Sequence, residues 1–430
     1  MNNSQEYTKI EESWINNKEF PIKRMKYLVN FIRGIEPGSK NYGIEGEGKR
    51  FIRVNDIGSN NKNNVYVKVE TDAVCNNGDI LLCLDGSPGI TTREMKGIFS
   101  TGLRKLELKE DTLNYDYLFY SLNCDFVQEA IQFFSKGTTI MHASDVTNYL
   151  KQPLPDLATQ KIIVNFLDEK TEKIDALINN KKNQIRILNE KEKLTIEILF
   201  KKGVNNKQLI DSGIEWIGKI PSNWKIKKLK KLLLPKNGIK IGPFGSQLKI
   251  EIMKPSGYKV YGQENVIYND FNRGINYIDK EKFEELKQCE IVTGDIVIAM
   301  MGTIGNTHLV PEGIEKGIMN SHLLRLRTNK ELIAAEFLSL GLNKAHYLIQ
   351  NIIRNSKGAI MQGLNSEIIK NLLIALPPIN EQEKIVKYLN EKTSKIQRAI
   401  KLIKKEILRL EEYKKILINN AVTGRIKVGA

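Results

Sequence analysis

Eight lysines and no acidic residue lie between Asn223 and Ile250: Lys225, Lys227, Lys228, Lys230, Lys231, Lys236, Lys240 and Lys249. Ammonium groups at this density suit phosphodiester oxygens, whose contacts supply sequence-independent affinity for nucleic acid. A solvated lysine face is the bland alternative. Inside the stretch, Gly242-Pro243-Phe244-Gly245-Ser246 reads as a glycine-rich turn whose backbone can come close to a ligand. Gln247 follows, and a side-chain amide there can pair bidentately with an adenine edge. Two more candidate loops follow Lys-Gly pairs. One runs from Lys357-Gly358 to Met361-Gln362-Gly363-Leu364-Asn365, and its counterpart is Lys136-Gly137-Thr138-Thr139. The candidate DNA-binding residues are therefore Lys240, Gly242, Phe244, Gly245, Ser246, Gln247 and Lys249, with Lys357, Gln362 and Asn365, and Lys136, Thr138 and Thr139. For each, a turn that simply needs glycine or a polar group is the competing explanation.

Catalytic chemistry finds little to stand on. The chain has no G-x-x-x-x-G-K-[ST] phosphate loop, no G-x-G-x-x-G dinucleotide fingerprint and no N-P-P-[FY] sequence of the kind an adenine methyltransferase carries. His142, His308, His322 and His346 are scattered and read as ordinary surface or packed residues. Asp79 and Asp295 each follow a glycine before an apolar run, the place of a turn-capping aspartate. Cys75, Cys83, Cys124 and Cys289 form no C-x-x-C pair, which argues against a zinc ribbon or a redox motif and suits a reducing cytosol. No catalytic residue, metal or cofactor is assigned. A formal net charge of +16 favours a polyanionic partner, although an Ile/Lys/Asn-rich codon usage alone would also raise it. Residues Met1 to Asn17 are polar, unlike a signal peptide, and no apolar run approaches the roughly 18 residues a bilayer requires. A cytoplasmic protein is expected.

The elements that must hold these loops come from a repeat. LPDLATQKIIVNFLDEKTEKID from Leu154 aligns without a gap with LPPINEQEKIVKYLNEKTSKIQ from Leu376, and half of the positions are identical. Pro155/Pro377, Gln160/Gln382, Leu167/Leu389 and Glu169-Lys170-Thr171/Glu391-Lys392-Thr393 are among them. Fainter echoes precede both copies: Gly78-Asp79-Ile80-Leu81-Leu82 with Gly294-Asp295-Ile296-Val297-Ile298, Ser135-Lys136-Gly137 with Ser356-Lys357-Gly358, and Ile22-Lys23-Arg24-Met25 with Ile226-Lys227-Lys228-Leu229. The expected segments are a first domain (1–153), a first long helix (154–204), a second domain (205–375) and a second long helix (376–430).

After the prolines, each copy runs some 45 residues without Pro or Gly, up to Gly203 and Gly424. The second copy carries an apolar seam at Leu389, Ile396, Ile400, Ile403, Ile407, Leu410 and Leu417, with Thr393 and Lys414 in the gaps. Its steps of three and four are a heptad pattern. The first copy keeps Leu167, Ile174, Ile178, Ile185, Leu188 and Leu199, interrupted by Lys181, Glu192 and Thr195. At about 1.5 Å per residue each helix is about 65–70 Å long. A compact domain of this size spans roughly 40 Å, too little to carry the chain back along a parallel pair. An antiparallel two-helix coiled coil is therefore expected, with mixed α/β globular domains at opposite ends and a pseudo-twofold relation between them. Gly78–Leu84, Ile291–Met300 and His322–Arg327 read as strands, and Tyr115–Phe134 and Ile333–Ile353 as amphipathic helices.

These features together resemble the specificity subunits of type I restriction-modification systems. The proline-led Leu376–Leu389 block followed by a long Lys/Glu/Ile helix is similar to that family's conserved region. Ile241–Lys249 is similar to the opening of one of its target-recognition domains. So are Gly294-Asp295-Ile296-Val297 with Gly302-Thr303-Ile304-Gly305, and Ile214-Glu215-Trp216-Ile217-Gly218 with Ile220-Pro221-Ser222-Asn223-Trp224. The resemblance covers nearly the whole chain. The first domain departs from it, having Gly34-Ile35-Glu36-Pro37-Gly38-Ser39 where the G-P-F-G-S block is expected. The resemblance implies a non-catalytic subunit that reads double-stranded DNA with two target-recognition domains, one for each half of a split site, while the rod sets the gap. It also implies two modification subunits, which bind S-adenosylmethionine and methylate adenine, docked on the rod, and restriction subunits that complete the nuclease. Three rival readings are a free-standing sequence-specific DNA-binding protein, a non-specific basic coiled-coil scaffold, and a methyltransferase with degenerate motifs.

Overall fold

The computed structural model describes residues 20–57, 64–136, 143–205, 207–244, 247–300, 306–356 and 366–428. Two compact units emerge: Met1–Asn183 with Ile403–Ala430, and Gln184–Leu402.

In the first unit, β1 (Ile22–Arg24) pairs with β11 (Lys151–Pro153), so the domain's entry and exit run side by side. Helix α1 (Met25–Leu28) leads into an antiparallel sheet of β2 (Val29–Arg33), β10 (Leu103–Leu108), β7 (Leu81–Cys83) and β8 (Thr91–Thr92), in that order. A second sheet is ordered β3 (Tyr42–Gly43), β5 (Val65–Val67), β4 (Lys49–Ile52), β9 (Gly97–Phe99), β6 (Val74–Cys75). Its one parallel pair, β4 with β9, places Ile52 and Phe99 in a buried cluster with Leu81, Cys83 and Leu103 of the first sheet. Phe51 and Ile98, one residue away, point to the other face with Val67, as the two-residue strand period requires. Helices α2 (Tyr115–Leu122), α3 (Asp125–Lys136) and α4 (Ala143–Tyr149) complete the domain.

In the second unit a hairpin of β12 (Leu209–Asp211) and β13 (Lys219–Pro221) precedes β14 (Lys225–Lys228), which pairs with β23 (Leu373–Leu376) as β1 does with β11. One sheet is ordered β15 (Ile239–Ile241), β22 (Leu323–Leu326), β19 (Ile296–Ala299), β20 (Thr307–Leu309); the other is β17 (Tyr277–Ile278), β16 (Tyr258–Tyr261), β21 (Gly317–Met319), β18 (Glu290–Ile291). The first sheet matches its counterpart strand for strand. In the second, the parallel pair β16 with β21 stands where β4 with β9 does. Ile296 and Ile298 face a core built with helices α8 (Ala335–Lys344), α9 (His346–Ser356) and α10 (Ser366–Asn371); Val297 and Ala299 face the other sheet. Short helices α6 (Gln263–Ile267) and α7 (Lys280–Glu285) lie between the strands of that other sheet. The duplication thus extends through segments whose sequences no longer align.

The long helices are α5 (Leu157–Lys202) and α11 (Ile379–Val422). Asp156 caps the first, its carboxylate accepting from Thr159 N at 2.9 Å. Gly203 and Gly424 follow their ends at φ +71° and +73°, the left-handed conformation that stops a helix. Within the first unit Asp175 meets Lys414 at 2.7 Å and Lys181 meets Glu406 at 2.6 Å. As one number rises the other falls, so the helices are antiparallel. Within the second unit Gln397 donates to Glu192 at 2.6 Å in the same sense. Lys181, Glu192 and Lys414, which break the apolar seam, are thus partnered across it. Seam residues Leu167, Ile174, Ile178, Leu199, Leu389, Ile396, Ile400, Ile407 and Leu417 are buried, and Ile185, Leu188, Ile403 and Leu410 half-buried.

Both copies of the repeat use one glutamine identically. Gln160 Nε2 donates to Thr112 O and Pro155 O, and its Oε1 accepts from Asn114 N at the start of α2. Gln382 Nε2 donates to Leu332 O and Pro377 O, and its Oε1 accepts from Ala334 N at the start of α8. Gln160 thus ties α5 to the start of α2, and Gln382 ties α11 to the start of α8, with no polar atom of either amide left over.

Several elements are shorter than their periodicity suggests. The span Tyr115–Phe134 is two helices, broken where Asn123 turns its Nδ2 back onto Phe119 O. Ile333–Ile353 likewise breaks at Ala345, which is extended. Ile291–Met300 is two strands, because Val292 N donates to the Asp295 carboxylate and closes a turn between them. Gly78 and Asp79 form the equivalent turn, Asn76 N donating to Asp79, so β7 starts only at Leu81. Both aspartates cap turns.

Candidate nucleic-acid interface

The lysine-rich stretch is not one surface loop. Lys225–Lys228 is β14, with Lys227 half-buried, and Leu229 anchors the following turn in the core. Lys225, Lys228, Lys230, Lys231 and Lys236 are exposed. Lys240 lies on β15, its Nζ donating to Gln288 Oε1 at 2.7 Å. Gln288 is a partner that sequence spacing gave no reason to expect.

At the end of β15 the chain presses against itself. Gly242 N donates to Leu323 O at 3.0 Å, and a Cβ on Gly242 would stand 1.8 Å from Asn320 O. In the first domain Gly34 N donates to Leu103 O at 3.4 Å, and a Cβ there would stand 2.1 Å from Ser100 O. Both glycines therefore serve the same contact, with the backbone just after the parallel strand. The close approach that Gly242 permits is to the protein's own chain. Gly242→Ala is expected to push the following loop off the sheet and weaken nucleic-acid binding by roughly tenfold, while far-UV circular dichroism stays near wild type. A variant that binds as tightly as wild type would show that the loop tolerates the displacement.

From that pinned base the loop projects outward. Phe244 is 78% exposed and Ile250 87% exposed; Gln247 and Lys249 between them are also exposed. Gln247 N donates to Phe244 O at 2.8 Å, tightening the turn. Phe244, Gln247 and Lys249 are thus held on one short segment, offering an aromatic face, an amide and a cation. Gly245, Ser246, Thr138, Thr139, Lys357, Gln362 and Asn365 lie outside the described residues, as do Gly302–Gly305. Lys136 ends α3, and its side chain is likewise outside the description.

Behind the loop, charge is locked rather than offered. Arg327 Nε meets Asp295 Oδ1 at 2.8 Å. Arg325, 1% exposed, donates to Glu290 O and to Asn237 O, and burial, with Arg327 nearby, lowers its pKa. All four cysteines are buried, and burial pushes the Cys75 thiol up to about 11 and Cys124 up to about 12, away from nucleophilic use. Among the described residues no group of three or more His, Cys, Asp or Glu is arranged to hold a metal, and no helix is long and apolar enough to cross a membrane.

A duplicated α/β domain, each copy tied by a buried glutamine to one of two long antiparallel helices, defines a repeat scaffold. The family model for the type I restriction modification DNA specificity domain matches residues 17–186 and 221–412, once in each repeat. The chain belongs to this family of type I DNA-specificity subunits. It is 28% identical over 372 residues to the type I restriction enzyme MjaVIII specificity subunit of Methanocaldococcus jannaschii, covering 84% of this chain and 83% of the relative. It is 22% identical over 432 residues to the EcoBI specificity subunit of Escherichia coli, covering 97% and 87%. A solved chain from work on complex assembly and conformational transition of the type I R-M system shares the fold at a TM-score of 0.68 and 15% identity, covering 95% of this chain and 98% of that one.

Proposed function

We propose that this chain reads a bipartite DNA site, one half with each domain, and docks the subunits that methylate and cleave. The supporting observation is the duplication itself. Two domains share a topology yet differ at their projecting loops, and each is joined to an antiparallel helix pair in an equivalent way. On this reading segments 1–153 and 205–375 are target-recognition domains, each joined to the helix pair formed by 154–204 and 376–430, and the length of that pair sets the unread gap. Lys240, Gly242, Phe244, Gly245, Ser246, Gln247 and Lys249, with Lys357, Gln362 and Asn365, form the second reader; Lys136, Thr138 and Thr139 belong to the first.

The helix surfaces away from the seam support docking. Ile187, Leu194, Ile198 and Leu402 in the second unit, and Leu177, Leu408, Tyr413 and Ile416 in the first, are exposed large apolar side chains flanking seam positions. A paired-helix rod with a second apolar stripe suits additional partner helices. Two modification subunits, one for each copy of the repeat, are the stoichiometry the duplication favours, with restriction subunits joining them. The complex works in the cytoplasm as an adenine-N6 methyltransferase and endonuclease, and this chain contributes specificity rather than catalysis.

The test is to purify the chain with its modification subunit and map methylated adenines on genomic DNA. The expected outcome is one split motif with a constant gap, each half altered separately by replacing the loops of one domain. Methylation at a single unbroken motif, or a pattern unchanged when this chain is omitted, would overturn the proposal.

A further inference from the structure

A cleft in the second unit, bordered by several side-chain donors, lies outside the loop described above. It has a volume of about 340 Å³ and is bordered by Lys201 near the end of α5, Trp216 of the β12–β13 hairpin, and His346, Gln350, Arg354 and Asn355 of α9. Residues 346, 350 and 354 recur every four positions, so one face of α9 brings an imidazole, an amide and a guanidinium to the cleft. The opposite face, with Leu348 and Ile352, is buried in the core, and Tyr347 stands between core and cleft. Arg354 is exposed and forms no ion pair with another described residue. Lys201 meets Glu197 at 2.9 Å, and an ammonium has two further hydrogens to donate. Trp216 is 43% exposed, an indole the core has not taken up.

The first domain has no such face. Aligned through Ser135-Lys136 and Ser356-Lys357, positions 346, 350 and 354 correspond to Asp125, Glu129 and Phe133. Asp125 is turned to the long helix, meeting Lys415 at 3.5 Å. An acidic face in one copy and a basic, amide-rich face in the other points to a ligand-facing role in the second domain rather than a shared packing need. The excess of donors over acceptors favours an anion. Arg354 also stands on the last turn of α9, directly before residues 357–365, which hold the candidate reading residues Lys357, Gln362 and Asn365.

We infer that this cleft binds a phosphate of the DNA backbone next to the half-site read by the second domain, with Arg354 as the principal contact and Lys201 and Gln350 beside it. The inference rests on the proposed reading of the chain as a DNA-specificity subunit. It adds a positioning contact, one that supplies affinity and register without sequence information.

The experiment uses the full chain in complex with its modification subunits. Binding is measured by fluorescence anisotropy across a salt series, on a duplex containing the methylated motif and on one lacking it. Arg354→Gln is expected to weaken binding to both duplexes by roughly fivefold at low salt. It should also make the slope of log K against log salt shallower by about one, with the methylated motif unchanged. Gln350→Ala should act in the same direction without the change in slope, and Phe133→Ala in the first domain should change neither quantity. Unaltered affinity and slope for Arg354→Gln would refute the inference. Loss of modification-subunit assembly with an unaltered slope would also refute it, assigning the cleft to a protein partner instead. The duplex lacking the motif reports the slope even if the wild-type complex shows no site preference, an outcome that would sink the specificity reading while still testing the cleft.

Discussion

A heptad inserted after Ile185 together with a heptad inserted after Leu402 should move methylation to a motif whose halves lie about three base pairs further apart. Seven helical residues add about 10.5 Å, against roughly 3.4 Å per base pair. Seven is also the number that keeps the seam in phase, whereas four would rotate it. Inserting on both helices preserves Asp175 with Lys414 and Lys181 with Glu406 in one unit, and Glu192 with Gln397 in the other. Inserting on one helix alone slides one set of partners by two turns, and that variant should lose specific methylation. Single-molecule sequencing of methylated adenines in cells carrying each variant reads the outcome. An unchanged motif in the double insertion would disprove the idea that the rod measures the gap.

The second large effect concerns stability. Gln160→Ala and Gln382→Ala each remove a fully buried amide that satisfies two carbonyls and one backbone N–H. Orphaning buried groups costs about 1–3 kcal/mol apiece, so each variant should lose on the order of 3–5 kcal/mol. The loss falls where a long helix meets its domain, so the two domains should respond separately. Gln160→Ala should lower an unfolding transition of the first and Gln382→Ala one of the second, measured by calorimetry or denaturant titration. Glutamate at either position keeps an acceptor for Asn114 N or Ala334 N but cannot donate to the carbonyls, so it should be damaging too. A change below about 1 kcal/mol would mean that water or relaxation replaces the three bonds.

How far the primary structure could be read depended on how local each signal was. The ungapped repeat beginning at Leu154 and Leu376 showed the two helices, since heptad spacing, leading prolines and closing glycines act within a few residues of one another. Asp79 and Asp295 were readable as turn caps for the same reason. The breaks at Asn123 and Ala345 were not, because apolar periodicity runs through both and only packing decides where a helix stops.

The sequence alone determined the duplication, the antiparallel sense of the helices and the family. These follow from repeated spacing and from how far a compact domain can carry a chain. Tertiary structure decided what the individual residues do. It showed that Gly242 and Gly34 press on their own sheets, that Gln160 and Gln382 tie helix to domain, and that Lys201 and Arg354, 153 positions apart, border one cleft. Such roles come from contacts between segments distant along the chain, and sequence spacing carries no record of which distant backbone a side chain will meet.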